Sequence, residues 1–316
     1  MKNFKAFLFL IFPILCFSQK QYSKEFSFIN DNDLYISLSQ DRYYTNGMFF
    51  NYRFISKHSN QKIAKKIIDF EIGHKIYTPF KAVVQSPQQH DRPFAGYLYG
   101  SFGINHFFKN NSFLKNSVEI GVIGPGSMAE ELQNFIHDIY GFRRAIGWKY
   151  QIRNAFALNF KSSYGKTIIG DTSKYFDVTW TSTANFGTVL TNISTGFYSR
   201  LGLKPLQKII NTIAFNSNLN KKDSDLFNKK EAFIYLKPQI GYVLYDATIQ
   251  GSFLNTTSPI TYSAMPFVFT TELGIRFTVD RLNLGYTINY HSKKLKSLQV
   301  PRGNFFGTIQ INYQFE

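Results

Sequence analysis

The sequence predicts an all-β fold, a twelve-stranded antiparallel barrel that crosses a membrane, and three observations carry that prediction. Apolar and polar residues alternate with period two over runs of about ten residues, the length a tilted strand needs to cross a bilayer. Aromatic residues make up 18% of the 316, with 34 Phe and 20 Tyr, and they gather near the run ends as interfacial girdles do. No later stretch approaches the ~18 uncharged apolar residues of a membrane-spanning helix.

The last segment shows the pattern most clearly. Phe305, Gly307, Ile309, Ile311, Tyr313 and Phe315 fall on one side, and Thr308, Gln310, Asn312 and Gln314 on the other. Residues 281–291 and 267–279 repeat it, and Met48, Phe50, Tyr52 and Phe54 alternate with Gly47, Asn51 and Arg53. A soluble sandwich also alternates, but with strands nearer ~5–6 residues, and an aromatic next to the C-terminus suits an outer-membrane strand. The expected strands are 24–31, 45–55, 67–77, 94–108, 112–122, 148–164, 175–189, 192–203, 231–246, 266–279, 281–292 and 304–315, an even number as closure favours. Residues 204–230 read as a loop with a possible short helix.

The N-terminus assigns the compartment. Lys2 and Lys5 precede the apolar run Ala6 to Leu15, and Cys16 and Ser18 stand at −3 and −1 of a cut before Gln19. This reads as a signal peptide over 1–18, followed by one barrel domain over 19–316 in a Gram-negative outer membrane. A lipoprotein cut before Cys16 is the rival, with Pro13-Ile14-Leu15 a poor lipobox; the bland alternative is an ordinary N-terminal helix. Losing Lys2 and Lys5 takes the formal charge from +16 to +14. Such a balance suits an anionic surface, and charge alone would equally suit nucleic acid. Cys16 is the one cysteine, which excludes an internal disulfide and a multi-cysteine zinc site.

One segment breaks the β pattern. After Gly124-Pro125-Gly126, Ser127 and Glu130 form a capping-box pattern, Met128 to Tyr140 reads as a helix, and Gly141 ends it. Met128, Leu132, Phe135, Ile136 and Ile139 make an apolar face, and Glu130, Gln133, Asn134 and His137 a polar stripe. The expectation is a short extracellular helix between strands five and six, its apolar side on the barrel and its polar side offered outward.

With periplasmic termini, three polar motifs fall on one extracellular rim: Asn30-Asp31-Asn32-Asp33 with Asp41 to Gly47, Lys81 with Asp91-Arg92-Pro93, and the His137 helix. Each has a plainer reading, as a turn, a structural ion pair and a solvated histidine. Together they resemble a site carried by loops on a rigid scaffold. Oxygens of Asn32 and Asp33 suit a hard cation such as Ca²⁺, although the run lacks the Gly and Glu of an EF-hand. A histidine beside such an ion can act as general base on water. No G-x-S-x-G elbow occurs.

On these residues the sequence resembles the lipid A deacylase LpxR family of outer-membrane proteins. The matching stretches are Asn32-Asp33, Asp41-Arg42-Tyr43-Tyr44-Thr45-Asn46-Gly47, Asp91-Arg92-Pro93-Phe94-Ala95-Gly96-Tyr97, Gly121 to Pro125, Ala129 to His137, and Gly147-Trp148 with Gln151 and Asn154. The resemblance implies a calcium-dependent esterase that removes the 3′-linked acyloxyacyl group of lipid A. It implies His137 as general base, Asn32 and Asp33 holding the cation or the site, Thr45 beside them, Gln133 in support and Lys81 as a further group. The chain departs from the family at Asp31, Ala155, Arg143 and Arg144. The expected partner is lipopolysaccharide in the outer leaflet, bound by a monomer, without nucleic acid. The rival readings are a pore or adhesive barrel without chemistry, whose lumen would cross the molecule, and a soluble exported sandwich that binds polyanions.

Overall fold

The computed structural model describes residues 21–36, 43–81, 83–170, 174–221, 226, 230–297 and 303–316. The predicted signal peptide, and Asp41 and Arg42 of the second motif, lie outside the described residues. The strands are β1 (Lys24–Asn32), β2 (Tyr43–Ser56), β3 (Ile63–Thr78), β4 (Ala95–Phe108), β5 (Ser112–Ile123), β6 (Ala155–Gly170), β7 (Phe176–Gly187), β8 (Leu190–Gly202), β9 (Ala232–Asp246), β10 (Phe267–Val279), β11 (Leu282–His291) and β12 (Asn304–Phe315). Each pairs antiparallel with its sequence neighbour, and β1 pairs with β12 from Lys24↔Phe315 to Asn32↔Gly307, closing the barrel. Helix α1 (Ala129–Tyr140) stands between β5 and β6, and the one-turn α2 (Ala247–Gln250) follows β9.

Strand alternation sorts the residues onto two faces. Phe26, Phe50, Phe70, Ile72, Phe102, Ile120 and Phe156 are exposed on the outside, forming the lipid-facing belt. Their neighbours point into the lumen. There Arg53 donates at 3.0 Å to both Glu25 and Asp69. The amides of Asn312 and Gln314 on β12 reach Glu25 on β1, tying the closing seam from within.

Strand six begins later than the alternation predicts, at Ala155 instead of 148. Residues 148–150 form a 3₁₀ turn whose Trp148 is buried against Phe94 and Ile76. Those apolar residues fill the space beneath α1, so their pattern comes from packing and not from a ladder.

Residues 203–231 join β8 to β9 on the side of the termini, the periplasmic side by the usual asymmetry of short turns and long loops. Within this connection residues 204–220 fold back into the lumen through two 3₁₀ turns, Ile209–Asn211 and Ile213–Phe215. Ile209, Ile213, Phe215 and Leu219 pack against Ile67, Phe107, Phe113 and Phe233 of the wall. Three wall cations donate to carbonyls of the plug: Lys65 to Ser217 at 2.5 Å, Lys115 to Phe215 at 2.8 Å and Arg276 to Ala214 at 3.0 Å. The apolar residues that made this stretch read as loop or helix are a core lining a barrel end.

Above the plug, two adjoining cavities of about 600 and 550 Å³ share Ile29, Glu71, Glu119 and Lys161. The opposite mouth is bridged by Arg92, which donates to Thr248 Oγ1 at 2.8 Å and stacks on Tyr77 at 4.3 Å. Among the described residues the lumen is thus narrowed by a plug at one end and a strap at the other. In planar bilayers the folded protein is expected to carry no steady ionic current; persistent wild-type conductance would show that the plug does not seat.

Candidate active site on the outer wall

The outward face of β1 changes character at its extracellular end. Phe26 and Phe28 give way to Asn30 and Asn32, both on the same face by parity. Asn30 is fully engaged: its Nδ2 donates to Gly47 O at 2.9 Å, and its Oδ1 accepts from Tyr35 at 2.5 Å. Asn32 Oδ1 accepts from Leu34 N at 2.8 Å and caps the 3₁₀ turn Asp33–Tyr35. That turn folds outward over β12, where a Cβ at Gly307 would stand 2.5 Å from Tyr35 Cβ. Asp33 is 2% exposed.

A row of partners runs from this turn across the outer wall: Asn32↔Asn46, Asn46↔Ile76 and Ile76↔Gly96. The β2–β3 register shifts between Tyr44 and Asn46. This bulge leaves Thr45 as the extra residue, and its hydroxyl lies 2.6 Å from that of Thr78, which shares the outward face of β3. Tyr44 stays in the lumen, donating to Asp31 at 2.7 Å.

Helix α1 packs on the β3–β4 end of this row, on the outside of the barrel. Its N-terminus seats where the wall has no side chain: a Cβ on Gly96 would stand 2.0 Å from Ser127 Oγ and 2.3 Å from Ala129 Cβ. The expected capping box does not form. Ser127 Oγ donates to Gly124 O at 2.6 Å and its carbonyl lies 2.8 Å from His74 Nε2, so the N-cap is Met128, in the left-handed region with φ 58°. Gly141 does end the helix, with φ 71°.

The orientation of α1 reverses the expectation. Ala129, Gln133 and His137 face the barrel and are buried, at 1%, 3% and 5% exposure. Met128, Phe135, Ile139 and Tyr140 are each at least 60% exposed. The rule that apolar residues pack inward assumes water outside. Here the outside is continuous with the lipid belt, so the apolar side faces lipid and the polar stripe is enclosed between helix and wall. Burial first, then the Tyr140 phenol and the Asp31 carboxyl, push the Tyr35 phenol above its ordinary range.

Two buried side chains of the stripe are held from behind. Gln133 Oε1 accepts from Trp148 Nε1 at 2.9 Å. His137 Nδ1 lies 2.7 Å from the Arg143 carbonyl. A carbonyl only accepts, so Nδ1 carries a proton, and in the neutral form of the ring the lone pair is then on Nε2. Arg143 thus contributes through its backbone. Arg144 pairs with Asp138 at 2.5 Å in solvent, lowering that carboxyl, a surface contact of small energetic weight.

Asn32 stands on the outer face of β1 with Asp33 on the turn that follows it, Thr45 lies at the bulge of β2, and Gln133 and His137 are buried on α1. Lys81 lies on the loop after β3, exposed and without a hydrogen bond or ion pair among the described residues. Asp91 and Arg92 serve the rim, Asp91 accepting from Phe80 N at 2.9 Å and Tyr43 at 3.0 Å. The departures Asp31 and Ala155 point into the lumen, on the other side of the wall. Sequence reasoning missed Trp148 and Asn46 as site-forming residues. Asn46 stood within a quoted motif, but its pairing with Asn32 follows from register. Among the described residues no group of three His, Cys, Asp or Glu is placed to hold a metal. A cation here would draw on Asp33, amide and hydroxyl oxygens, and water.

The family model for outer membrane protein LpxR matches residues 4–315. Among solved structures, LpxR from Salmonella typhimurium aligns with a TM-score of 0.72 at 19% identity, covering 92% of this chain and 100% of that one, a likeness of fold. The β-domain of the Bordetella autotransporter BrkA aligns at 8% identity over 94% of this chain and 99% of its own, with a TM-score of 0.43. The translocator of NalP from Neisseria meningitidis aligns at 11% identity over 93% and 89%, also with a TM-score of 0.43. No curated protein sequence matches.

Proposed function

Because this chain belongs to the LpxR family of outer-membrane proteins, we propose that it is an ester hydrolase of the outer leaflet that removes the 3′-linked acyloxyacyl group from lipid A. The observation that supports this most is the enclosed polar stripe on the outside of the wall. A site between barrel and helix, bordered by lipid-facing Phe135 and Ile139, is reached by a substrate that lies in the membrane.

In this reading His137 Nε2 takes a proton from water as its oxygen attacks the ester carbonyl. The imidazolium then returns the proton to the sugar 3′-oxygen as the C–O bond breaks, releasing a carboxylic acid and a free hydroxyl. The Arg143 carbonyl holds the tautomer throughout. Gln133, fixed by Trp148, supports the reacting centre. The oxygen donors of Asn32 and Asp33, with the buried Asn46 Oδ1 that lacks a partner among the described residues, fit a hard cation such as Ca²⁺. When bound, that ion supplies positive charge to polarise the carbonyl. Lys81, Arg143, Arg144, Lys149 and Arg153 are exposed around the patch and suit the phosphates of lipid A.

Expression in a host with hexa-acylated lipid A, followed by lipid A mass spectrometry with and without Ca²⁺, tests the proposal. The expected spectrum shows loss of the 3′-acyloxyacyl mass. An unchanged spectrum from folded, surface-located protein would overturn the reading. Trp148→Phe keeps a ring in the core but removes the donor to Gln133. One such bond is worth about 1 kcal/mol, so the hydrolysis rate should fall roughly fivefold while the barrel stays folded; an unchanged rate would detach Gln133 from the reaction.

A further inference from the structure

We infer that Asn46 supplies an oxygen ligand, through Oδ1, to a hard divalent cation bound on the outer wall beside Asn32 and Asp33. The inference rests on the hydrolase reading for its site and adds a residue to it. Asn46 is 6% exposed, and its Oδ1 is buried with no hydrogen-bond partner among the described residues. A buried amide oxygen without a partner is rare in a folded protein and calls for a specific explanation, an ion among them.

Its neighbours make the oxygen conspicuous. On the same face, Asn30 has both amide ends satisfied, and Thr45 and Thr78 satisfy each other. On one flank Asn46 meets Ile76, fully buried under α1, where an aliphatic residue would pack as well. On the other it stands directly opposite Asn32. Side chains so paired have Cβ atoms about 5 Å apart, a spacing that lets two amide oxygens converge on one ion. Asp33, the next residue along, adds a carboxylate buried on the same turn. Amide and carboxylate oxygens without nitrogen or sulfur select a hard cation of the calcium type over zinc or copper.

The bulge at Tyr44/Asn46 sets this geometry. Tyr44, anchored in the lumen to Asp31, precedes the extra residue, after which Asn46 resumes the outward side in register with Asn32.

The test measures binding of ⁴⁵Ca²⁺ to the full-length barrel in detergent by equilibrium dialysis, with folding checked by heat-modifiable migration on gels. Wild type is expected to show one saturable site. Asn46→Leu, which keeps the volume and removes the amide, should raise half-saturation at least tenfold. Asn46→Asp, which keeps an oxygen and adds charge, should bind as tightly as wild type or tighter. Wild-type binding by a folded Asn46→Leu barrel would overturn the inference. So would weak binding by a folded Asn46→Asp, or the lack of any saturable site in the wild type. If Asn46→Leu does not fold, Asn46→Asp against wild type decides. The lipid A spectrum is read separately: cleavage that persists with unchanged calcium binding in Asn46→Leu removes this ligand but leaves the hydrolase reading standing.

Discussion

His137→Ala is expected to lower the rate of ester cleavage about 10²–10⁴-fold, the contribution of a positioned general base, while the barrel folds and reaches the membrane as before. His137 is enclosed between α1 and the wall, and its Nδ1 is committed to the Arg143 carbonyl at 2.7 Å. In the neutral ring the lone pair is therefore on Nε2. His137→Gln can still donate to that carbonyl but cannot take up a proton at neutral pH, so it should be as inactive as the alanine variant. The measurement is release of 3′-acyl groups from lipid A micelles by purified, heat-modifiable protein. Activity in the glutamine variant within tenfold of wild type would remove His137 from the proton transfer.

Gly96→Ala should have an effect of similar size through position alone. The added methyl would lie 2.0 Å from Ser127 Oγ and 2.3 Å from Ala129 Cβ, well inside contact distance. The β4 backbone is fixed by ladders to β3 and β5, so α1 is the element that shifts. Overpacking of this kind costs about 1–3 kcal/mol. A displacement of about 1 Å at a reacting group can cost 10²-fold in rate. The variant should retain barrel mobility on gels and calcium binding at β1 and β2, yet lose most hydrolysis. Full activity in Gly96→Ala would show that the seating of α1 is looser than the packing indicates.

How much of this was legible in the sequence depends on what each residue answers to. The wall was legible because a strand's faces obey a strict two-residue rule: Phe305 to Phe315 alternates in the sequence and in the barrel. The site residues were legible as types: Asn32, Asp33, Thr45, Gln133 and His137 are polar side chains, buried or half-buried, at the surface of an otherwise apolar outer wall or on the helix beside it. Which side of α1 meets the protein was not legible. Phe135 and Ile139 look alike whether they face a core or a bilayer. The start of β6 was misread because Trp148 and Ile152 are apolar for tertiary reasons. Asn46 escaped notice since its meaning lies in Asn32, fourteen residues away and across a bulge. Lys81 was proposed from a resemblance in which the loop spacing differs, and the structure leaves it on the surface.

The seam between β1 and β12 has a consequence for biogenesis. The N-terminal strand must wait, with one edge bare, until the last twelve residues have been exported, since its partner is the final strand. Bare edges of that length are adhesive, and contacts of such sequence separation form slowly. Closure then runs along Glu25, Asn312 and Gln314, whose lumenal contacts form only when the two edges meet. A chain lacking its terminal strand would remain an unclosed sheet, material for periplasmic proteases and not for the membrane.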